Sequence, residues 1–373
     1  MKKKIGPSGK LQDFRAKSRK EKLSFGKEFL INNSLYIFMI AAIIIIGFST
    51  PKFLSVPSIV NIISLSAANL PIALGIAGCI ILTGTDLSAG RIVGLVAVVS
   101  ASLLQASSYA NKMFPNIGAL PVWLVLLIAV AIGAVFGFIN GFCTAKFNLH
   151  PFIVTLATQL IVYGALLMYL MIGGNNGQSL SGLDTSYTNF IAGSFLSVGS
   201  TPIPNYVWYA IILTVIMWFI WNKTTFGKNM FAVGSNPEAA NVSGVNVTRT
   251  IILVFVLAGI MYGLTGFIES ARIASNSAAT GLNYELDAIA ACVIGGVSFV
   301  GGIGSIRGVI IGVVLLRIIF VALTFLGIDA NMQYIIKGLI ILIACAVDSR
   351  LFLHQVRQAS RRDILLICMI PCF

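Results

Sequence analysis

Charged residues are scarce in this chain. Only 10% of its 373 residues are charged and 57% are hydrophobic, whereas soluble domains carry about 25% charged residues. The mean hydropathy is +0.94. A water-soluble protein of this length would have to expose much of that apolar surface. The composition therefore excludes an ordinary soluble domain and predicts that lipid is the solvent of the chain.

The residue patterns of most catalytic and cofactor sites are also missing. No Gly-x4-Gly-Lys-Ser/Thr sequence occurs, which excludes nucleotide binding in the P-loop manner. None of the six cysteines forms a Cys-x-x-Cys pair, so neither a disulfide framework nor a metal site is indicated. The two histidines, His150 and His354, are far apart, and His150 next to Pro151 is typical of a helix start. We expect no catalytic residue, cofactor or metal in this chain.

Pairs of acids that could relay protons are absent from the apolar runs. Asp86, Glu269, Glu285 and Asp287 all lie near the ends of such runs. An ion-coupled secondary transporter needs an ion-binding site within the membrane, so that class is the alternative and not the leading hypothesis. If the chain moves solute actively, the energy is expected to come from another subunit.

Positive charge is concentrated at the start of the chain. The net charge is +13, and ten of the 25 Lys and Arg residues fall between Lys2 and Lys27. A basic tail beside a membrane span is typical of a cytoplasmic terminus that faces anionic lipid. No basic stripe with interleaved aromatic residues follows, which argues against nucleic acid as a partner. We predict a cytoplasmic tail over residues 1–28, a transmembrane domain over 29–349 and a basic, then apolar, extension over 350–373.

Ten apolar runs approach the length of about 20 residues that a helix needs to cross a bilayer. The eighth run is short and broken by glycine. The pattern predicts an all-α polytopic membrane protein with about ten transmembrane helices that forms a solute pathway. The runs are residues 30–49, 59–83, 91–107, 121–144, 151–172, 205–222, 250–268, 288–303, 307–327 and 334–348.

Basic residues in the connections predict the orientation of these runs. The connections after even-numbered runs are basic, and they contain Lys146, the 223–249 segment and Arg307. The 173–204 segment, in contrast, has no Lys or Arg. Because basic connections stay inside, we expect 173–204 outside, 223–249 inside and both termini in the cytoplasm. Lys112 is the one basic residue in a short outside connection.

Two glycine-rich segments interrupt the apolar runs, Thr83-Gly-Thr-Asp-Leu-Ser-Ala-Gly-Arg91 and Gly295-Gly-Val-Ser-Phe-Val-Gly-Gly-Ile-Gly-Ser-Ile-Arg307. Broken helices at membrane depth are tolerated only beside protein or a watery cavity. Corresponding breaks in two halves indicate an internal repeat with a pathway between the halves, although two tight cytoplasmic turns would give the same pattern. The candidate pathway and gating residues in these segments are Asp86, Ser88, Arg91, Gly295, Gly296 and Ser298.

The 223–249 segment contains the signature of a short helix. An Asn-Pro-Glu sequence supplies in order a helix cap, a first helical residue and an acid at the positive end of the helix dipole. A glycine can end this helix after about two turns. Its small side chains would let it dock in a groove of a cytoplasmic partner, and a plain surface turn is the alternative. The residues that we assign to docking are Pro237, Glu238, Ala239, Ala240 and Gly244.

This element, Pro237-Glu-Ala-Ala-x3-Gly244, resembles the coupling helix of ATP-binding cassette (ABC) import permeases, which inserts into the ATPase subunit. The resemblance covers about residues 30–350 and is closest to the monosaccharide branch, within it to the galactose/methyl-galactoside group. Four further stretches carry it, which are Thr83-Gly-Thr-Asp-Leu-Ser-Ala-Gly-Arg-Ile-Val-Gly94, His150-Pro-Phe-Ile-Val-Thr155, Trp221-Asn-Lys-Thr-Thr-Phe-Gly-Lys228 and Tyr284-Glu-Leu-Asp-Ala-Ile-Ala-Ala-Cys-Val-Ile-Gly-Gly-Val-Ser298.

The resemblance implies a homodimeric permease in the bacterial cell (inner) membrane. It would work with a cytoplasmic ATPase and an extracytoplasmic sugar-binding protein, and its fold would be a ten-span importer. The chain would be a transport subunit and not an enzyme, because the partner binds and hydrolyses ATP. Galactose or methyl galactoside is the expected substrate, with ribose or another pentose as the alternative.

The chain departs from the family pattern in two places. Arg317, in the ninth run, stands where the family usually has an uncharged residue. An arginine at that depth costs about 2.5–3.5 kcal/mol on insertion scales, so we predict that it faces the pathway, water or an acidic partner. After Ser349 the family ends in a short basic tail, whereas this chain runs on to Ile364-Leu-Leu-Ile-Cys-Met-Ile-Pro-Cys-Phe373.

Overall fold

The structure is a computed structural model that describes residues 44, 47, 52–118, 120–329, 331–343 and 345–346. The chain divides into two compact units, Met1–Ser49 and Thr50–Phe373, and the fold described below is that of the second. The predicted cytoplasmic tail and the C-terminal extension lie outside the described residues. So does the first predicted span, apart from Ile44 and Gly47.

The described part of the second unit is built from α-helices and one short β-hairpin. Strands β1 (Leu196–Val198) and β2 (Thr201–Ile203) pair antiparallel, with Leu196 opposite Ile203. A single 3-10 turn covers Ile172–Gly174. The helices are α1 Val56–Ile81, α2 Ala89–Leu103, α3 Val122–Lys146, α4 Pro151–Leu170, α5 Thr185–Ala192, α6 Asn205–Lys223, α7 Thr225–Ser235, α8 Pro237–Val242, α9 Val247–Ile273, α10 Tyr284–Ile294, α11 Ile306–Phe325 and α12 Asn331–Ile343.

Six of these helices, α1, α3, α4, α6, α9 and α11, are long and apolar enough to cross a membrane. Helices α2 and α12 are apolar but shorter. The eighth predicted span, residues 288–303, is broken by glycine as the sequence predicts, because α10 ends at Ile294 after 11 residues. The glycines that follow leave the helix, with Gly296, Gly301 and Gly302 at positive φ. The chain is therefore an all-α polytopic membrane protein, and the count of ten spans is not confirmed in the described residues.

Helices α1 and α9 form the core of the unit. Of the most apolar stretch of each helix, 67% is buried in α1 and 61% in α9, against 22% in α3 and 33% in both α4 and α6. The outer helices expose large apolar side chains such as Trp123, Leu160 and Ile212. A protein in water would not keep so much apolar surface uncovered, but lipid is as apolar as these side chains.

Glycine notches bring α3 against α9. Gly133 and Gly137 lie one turn apart on α3, and Gly259 and Gly263 do so on α9. A Cβ atom at Gly133 would overlap the backbone of Gly259, and one at Gly263 would overlap the backbone of Ala129. Small residues permit this backbone approach, which supplies the packing attraction that associates helices in lipid.

Candidate coupling and translocation site

Residues 224–246, which we call the coupling segment, contain α7 and α8 and lead into α9. Three successive side-chain caps begin these three helices. Thr224 Oγ1 accepts a hydrogen bond from Gly227 N at 3.2 Å and thereby starts α7. Asn236 Oδ1 accepts from Ala239 N at 2.9 Å and starts α8. Asn246 Oδ1 accepts from Arg249 N at 2.8 Å and starts α9. Each cap pairs an amide that the new helix would otherwise leave without a partner.

Helix α8 is the short helix that the Asn-Pro-Glu sequence predicts. Pro237 occupies its first turn beside the acid Glu238, and the helix is six residues long. Gly244 follows at φ +84° with no atom near the position of a Cβ. The expectation of a glycine that ends this helix is confirmed, because side chains strongly disfavour that backbone conformation.

The two alanines of α8 face opposite environments. Ala239 is exposed together with Glu238, and Val242 is 90% exposed. Ala240, in contrast, is 4% exposed. The prediction that both alanines belong to a free docking face is therefore wrong for Ala240. Because α8 packs against α7 and α9, one side of such a short helix is covered by the chain itself, and Ala240 lies on that side.

The C-terminal end of α7 touches the second glycine-rich segment and the end of α1. Gly302 N donates to Ile81 O at 2.9 Å. A Cβ atom on Gly234 would overlap Ile81 O, and one on Gly301 would overlap Gly234 O. We call Ile81, Gly234, Gly301 and Gly302 the glycine junction. It places the coupling segment in direct backbone contact with the second glycine-rich segment and with the end of α1, two residues before the first one.

The first glycine-rich segment packs a polar cluster into the core. Asp86, Ser88 and Asn140 are each 0% exposed. Ser88 donates to Asp86 Oδ1 from its backbone N at 3.0 Å and from its Oγ at 2.6 Å. Asn140 Nδ2, on α3, donates to Ser88 Oγ at 2.9 Å. The predicted residues Asp86 and Ser88 therefore form one hydrogen-bonded unit inside the subunit.

Arg91 ends this segment and contacts other groups. Its guanidinium lies 4.1 Å from the ring centre of Tyr163 on α4, and its Nη1 donates to Ala278 O at 3.1 Å. The nearby acid Glu285 is 4% exposed. Cation–π contact and a carbonyl acceptor together hold the charge of Arg91 in a partly buried place. Arg91 thus ties α2 to α4 and to the connection before α10.

The second glycine-rich segment is held mainly by backbone contacts. Gly295 lies against the backbone of Gly308 on α11, where a Cβ atom would overlap the Gly308 carbonyl. Gly296 has φ +79° and open space around it. Ser298 N donates to Ile303 O at 3.1 Å, and Ser298 Oγ accepts from Val300 N at 3.3 Å. These contacts shape a compact loop between α10 and α11.

Arg317 has an acidic partner, as its position in an apolar run predicts. Its Nη2 lies 3.2 Å from Asp287 Oδ2 on α10. Lys337 Nζ, on α12, lies 2.5 Å from the other oxygen of the same carboxylate. The side chains of Arg317, Asp287 and Lys337 are 16%, 11% and 14% exposed. Two bases and one acid therefore join α10, α11 and α12.

A polar cavity lies among the connections that the sequence places outside. Gln105 links two of them, since its Nε2 donates to Ser181 O at 2.9 Å and its Oε1 accepts from Met113 N at 2.8 Å. Tyr187 on α5 donates to Phe267 O, and burial raises the pKa of this phenol, so it stays a neutral donor. The cavity is about 350 Å³ and is lined among others by Tyr109, Asn111, Lys112, Asn175, Gln178 and Ser179.

The residues that the sequence missed are polar partners inside or beside apolar helices. Asn140 could have been found as the one amide between the glycines of the fourth apolar run, Gly137 and Gly141. Asp287 could have been paired with Arg317 as the acid that directly precedes the eighth run. Gly234 carries no such signal, because only the fold brings it to Ile81.

Helices of this length and apolar character define a polytopic membrane protein, and the relatives of the chain are transport components. A family model described as branched-chain amino acid transport system, permease component, matches residues 58–345. The chain belongs to this family of transport permease components. No solved structure matches the chain.

Curated relatives extend the likeness over nearly the whole chain. The chain is 46% identical over 334 residues to the galactose/methyl galactoside import permease of Escherichia coli K12, covering 90% of this chain and 97% of the relative. The corresponding permease of Haemophilus influenzae is 45% identical over 322 residues, 86% and 95% of the two chains. The ribose import permease of Escherichia coli K12 is 32% identical over 328 residues, 87% and 96%. The resemblance seen in the sequence motifs is confirmed, and the relatives are transport subunits and not catalytic enzymes.

Proposed function

We propose that this chain is the permease subunit of an ABC importer and that its substrate is galactose or methyl galactoside. The supporting observation is the difference in identity, 46% to a galactose/methyl galactoside permease against 32% to a ribose permease at similar coverage. Ribose or another pentose remains the second candidate within the class, because its permeases match 87% of the chain.

The proposed assembly contains two copies of this chain, a cytoplasmic ATPase and an extracytoplasmic sugar-binding protein. Family membership implies the ATPase and the binding protein, and the absence of a P-loop sequence from this chain leaves ATP to the partner. In the outer helices α3, α4 and α6, 22–33% of the most apolar stretch is buried within a single chain. A second copy would cover part of the apolar surface that stays exposed. We place the assembly in the inner membrane, with ten spans and both termini in the cytoplasm.

Helix α8 is the proposed contact with the ATPase. Glu238, Ala239 and Val242 supply the exposed surface, and Ala240 supports the helix from behind. A movement of α8 would displace α1 and the loop after α10 through the glycine junction, because the backbones there are in direct contact. Because Asp86 and Ser88 are buried, we expect them to support the pathway from within the subunit and not to contact the sugar.

Uptake by the reconstituted complex tests the proposal. Proteoliposomes would hold this chain with a partner ATPase and a sugar-binding protein, and uptake of labelled galactose, methyl galactoside and ribose would be measured with and without ATP inside. We expect ATP-dependent uptake of galactose or methyl galactoside that disappears when the binding protein is omitted. Uptake of ribose alone would overturn the substrate, and uptake driven by an ion gradient without ATP would overturn the class.

A further inference from the structure

The Asp86 carboxyl lies in an unusual setting for an acid. It is 0% exposed, as are the surrounding side chains of Ser88, Asn140, Tyr262 and Cys79. These come from four places in the chain, namely the 82–88 connection, α3, α9 and α1. The Tyr262 hydroxyl faces both the Asp86 carboxyl and the Cys79 thiol. The environment is polar and closed to bulk solvent.

Within the described residues, no positive charge pairs with Asp86. None of the ion pairs formed by the described residues includes it, because those pairs use Glu269 and Asp287. Its titratable neighbours are the Cys79 thiol, the Tyr262 phenol and the carboxyl of Glu285 on α10, none of which supplies a positive charge. An isolated carboxylate in such a place is so costly that the group takes up a proton instead.

The two donors of Ser88 stabilise charge on one oxygen of the carboxyl, but the oxygens without a donor around the other favour a proton. Asp86 Oδ1 accepts both donors of Ser88, whereas Asp86 Oδ2, Asn140 Oδ1 and Tyr262 Oη have no partner of normal geometry. An ionised Asp86 would offer only acceptors and would leave the Asn140 oxygen without a donor. A protonated Asp86 carries one O–H, which supplies a donor to this group of oxygens.

We propose that Asp86, Asn140 and Tyr262 form a proton-binding site and that the resting permease carries the proton on Asp86 Oδ2. The bound proton lets the 82–88 connection stay packed in the core. Loss of the proton would place an unpaired negative charge five residues after Ile81, which belongs to the glycine junction. The site therefore connects protonation to the point where the coupling segment meets α1. The proposal rests on these contacts and not on the identity of the transported solute.

Infrared difference spectroscopy of the purified full chain reads the protonation state directly. The spectrum of Asp86→Asn subtracted from that of the parent should contain the carbonyl stretching band of a protonated carboxyl at neutral pH, and the band should shift in D₂O. Asp184→Asn is the matched control, because Asp184 also accepts from the amide two residues ahead, at 2.8 Å, but at a partly exposed helix start. That control should show the loss of ionised carboxylate bands. Carboxylate bands in the Asp86 difference spectrum would overturn the proposal.

Thermal unfolding separates a proton from a metal cation at the same oxygens. Melting curves in sodium, potassium and choline chloride should coincide, and an upward shift specific to sodium or potassium that Asp86→Asn abolishes would mean that a cation occupies the site and would refute a bound proton. Asp86→Asn keeps a donor at this position, so its melting temperature should stay near that of the parent, whereas Asp86→Leu should lower it. Equal losses of melting temperature in Asp86→Asn and Asp86→Leu would contradict the protonated form. Asn can replace a protonated carboxyl, and it would be as poor a substitute as Leu only in place of an ionised carboxylate.

Discussion

The two glycine-rich connections of this protein use similar sequences in different physical ways. Residues 82–88, the first connection, bury side-chain chemistry, with Asp86 and Ser88 in a hydrogen-bonded cluster that reaches Asn140 on α3. Residues 295–305, the second connection, are held mainly by backbone contacts, in which several glycines face other backbones. Glycine thus permits a polar cluster to enter the core in one case and removes side-chain volume in the other. The first connection should be sensitive to changes of polarity and the second to changes of size.

The largest effect should come from the charges that flank the second connection. Asp287 precedes it and holds both Arg317 and Lys337. Asp287→Leu would leave two partly buried bases unpaired, and we expect the free energy of unfolding to fall by about 3–5 kcal/mol. Arg317→Leu leaves the pair between Asp287 and Lys337 intact, so its cost should be smaller, about 1.5–3 kcal/mol. Denaturant unfolding in mixed micelles measures both, and equal stability of parent and Asp287→Leu would contradict the ion cluster.

Volume in the second connection should matter next. Gly301 has φ +92° and no room for a Cβ atom, whereas Gly296 has φ +79° and open space. Gly301→Ala should therefore combine backbone strain with overlap and lower stability by about 2–4 kcal/mol. Gly296→Ala carries the strain alone and should cost about 1 kcal/mol. Equal melting temperatures for Gly301→Ala and Gly296→Ala would show that the glycine junction is not a tight contact.

Polarity in the first connection should have a moderate effect. Ser88→Ala removes one donor from Asp86 and the acceptor of Asn140 Nδ2, which should cost about 1–3 kcal/mol. Ser66→Ala is a matched control on α1, because the buried Ser66 hydroxyl donates only to the carbonyl one turn earlier in its own helix. We expect that control to stay close to the parent. A larger loss at Ser66 than at Ser88 would show that the polar cluster contributes little.

The smallest effect on stability should come from helix α8, the proposed contact with the ATPase. Val242 is 90% exposed and touches little of its own chain, so Val242→Glu should leave unfolding unchanged. The same variant should lose the ATPase during co-purification, because a charge replaces an apolar contact in the proposed interface. Ala240→Arg is the contrasting variant, since a buried alanine cannot accept that side chain and the permease itself should lose stability. Normal ATPase retention and sugar uptake in Val242→Glu would move the coupling site elsewhere.

Local signals predicted the parts of the site that depend on neighbouring residues in sequence. The Asn236 cap, the first-turn Pro237 and the glycine at positive φ after α8 follow from short-range hydrogen bonding and backbone sterics. The partner of Arg317 was predictable as a class, because a charge among apolar residues needs an opposite charge or water.

The remaining features depend on contacts between distant segments. Ala240 and Ala239 are identical in sequence terms, and only the packing of α8 on α7 and α9 separates a buried one from an exposed one. Hydropathy likewise extended the eighth run to residue 303, since it counts apolar residues and not the positive φ angles that end α10 at Ile294. Gly234 gained its role from Ile81, which is more than 150 residues away.

The glycine notches between α3 and α9 limit how the protein can change shape. Gly133 and Gly137, one turn apart on α3, both lie against Gly259, so sliding one helix along the other would drive Cβ atoms into opposing backbone. The shear motions that packed helices often make are thereby blocked at this pair. Helices α3 and α9 should move as one rigid body, and the rearrangements of a transport cycle should be hinged at the connections outside them.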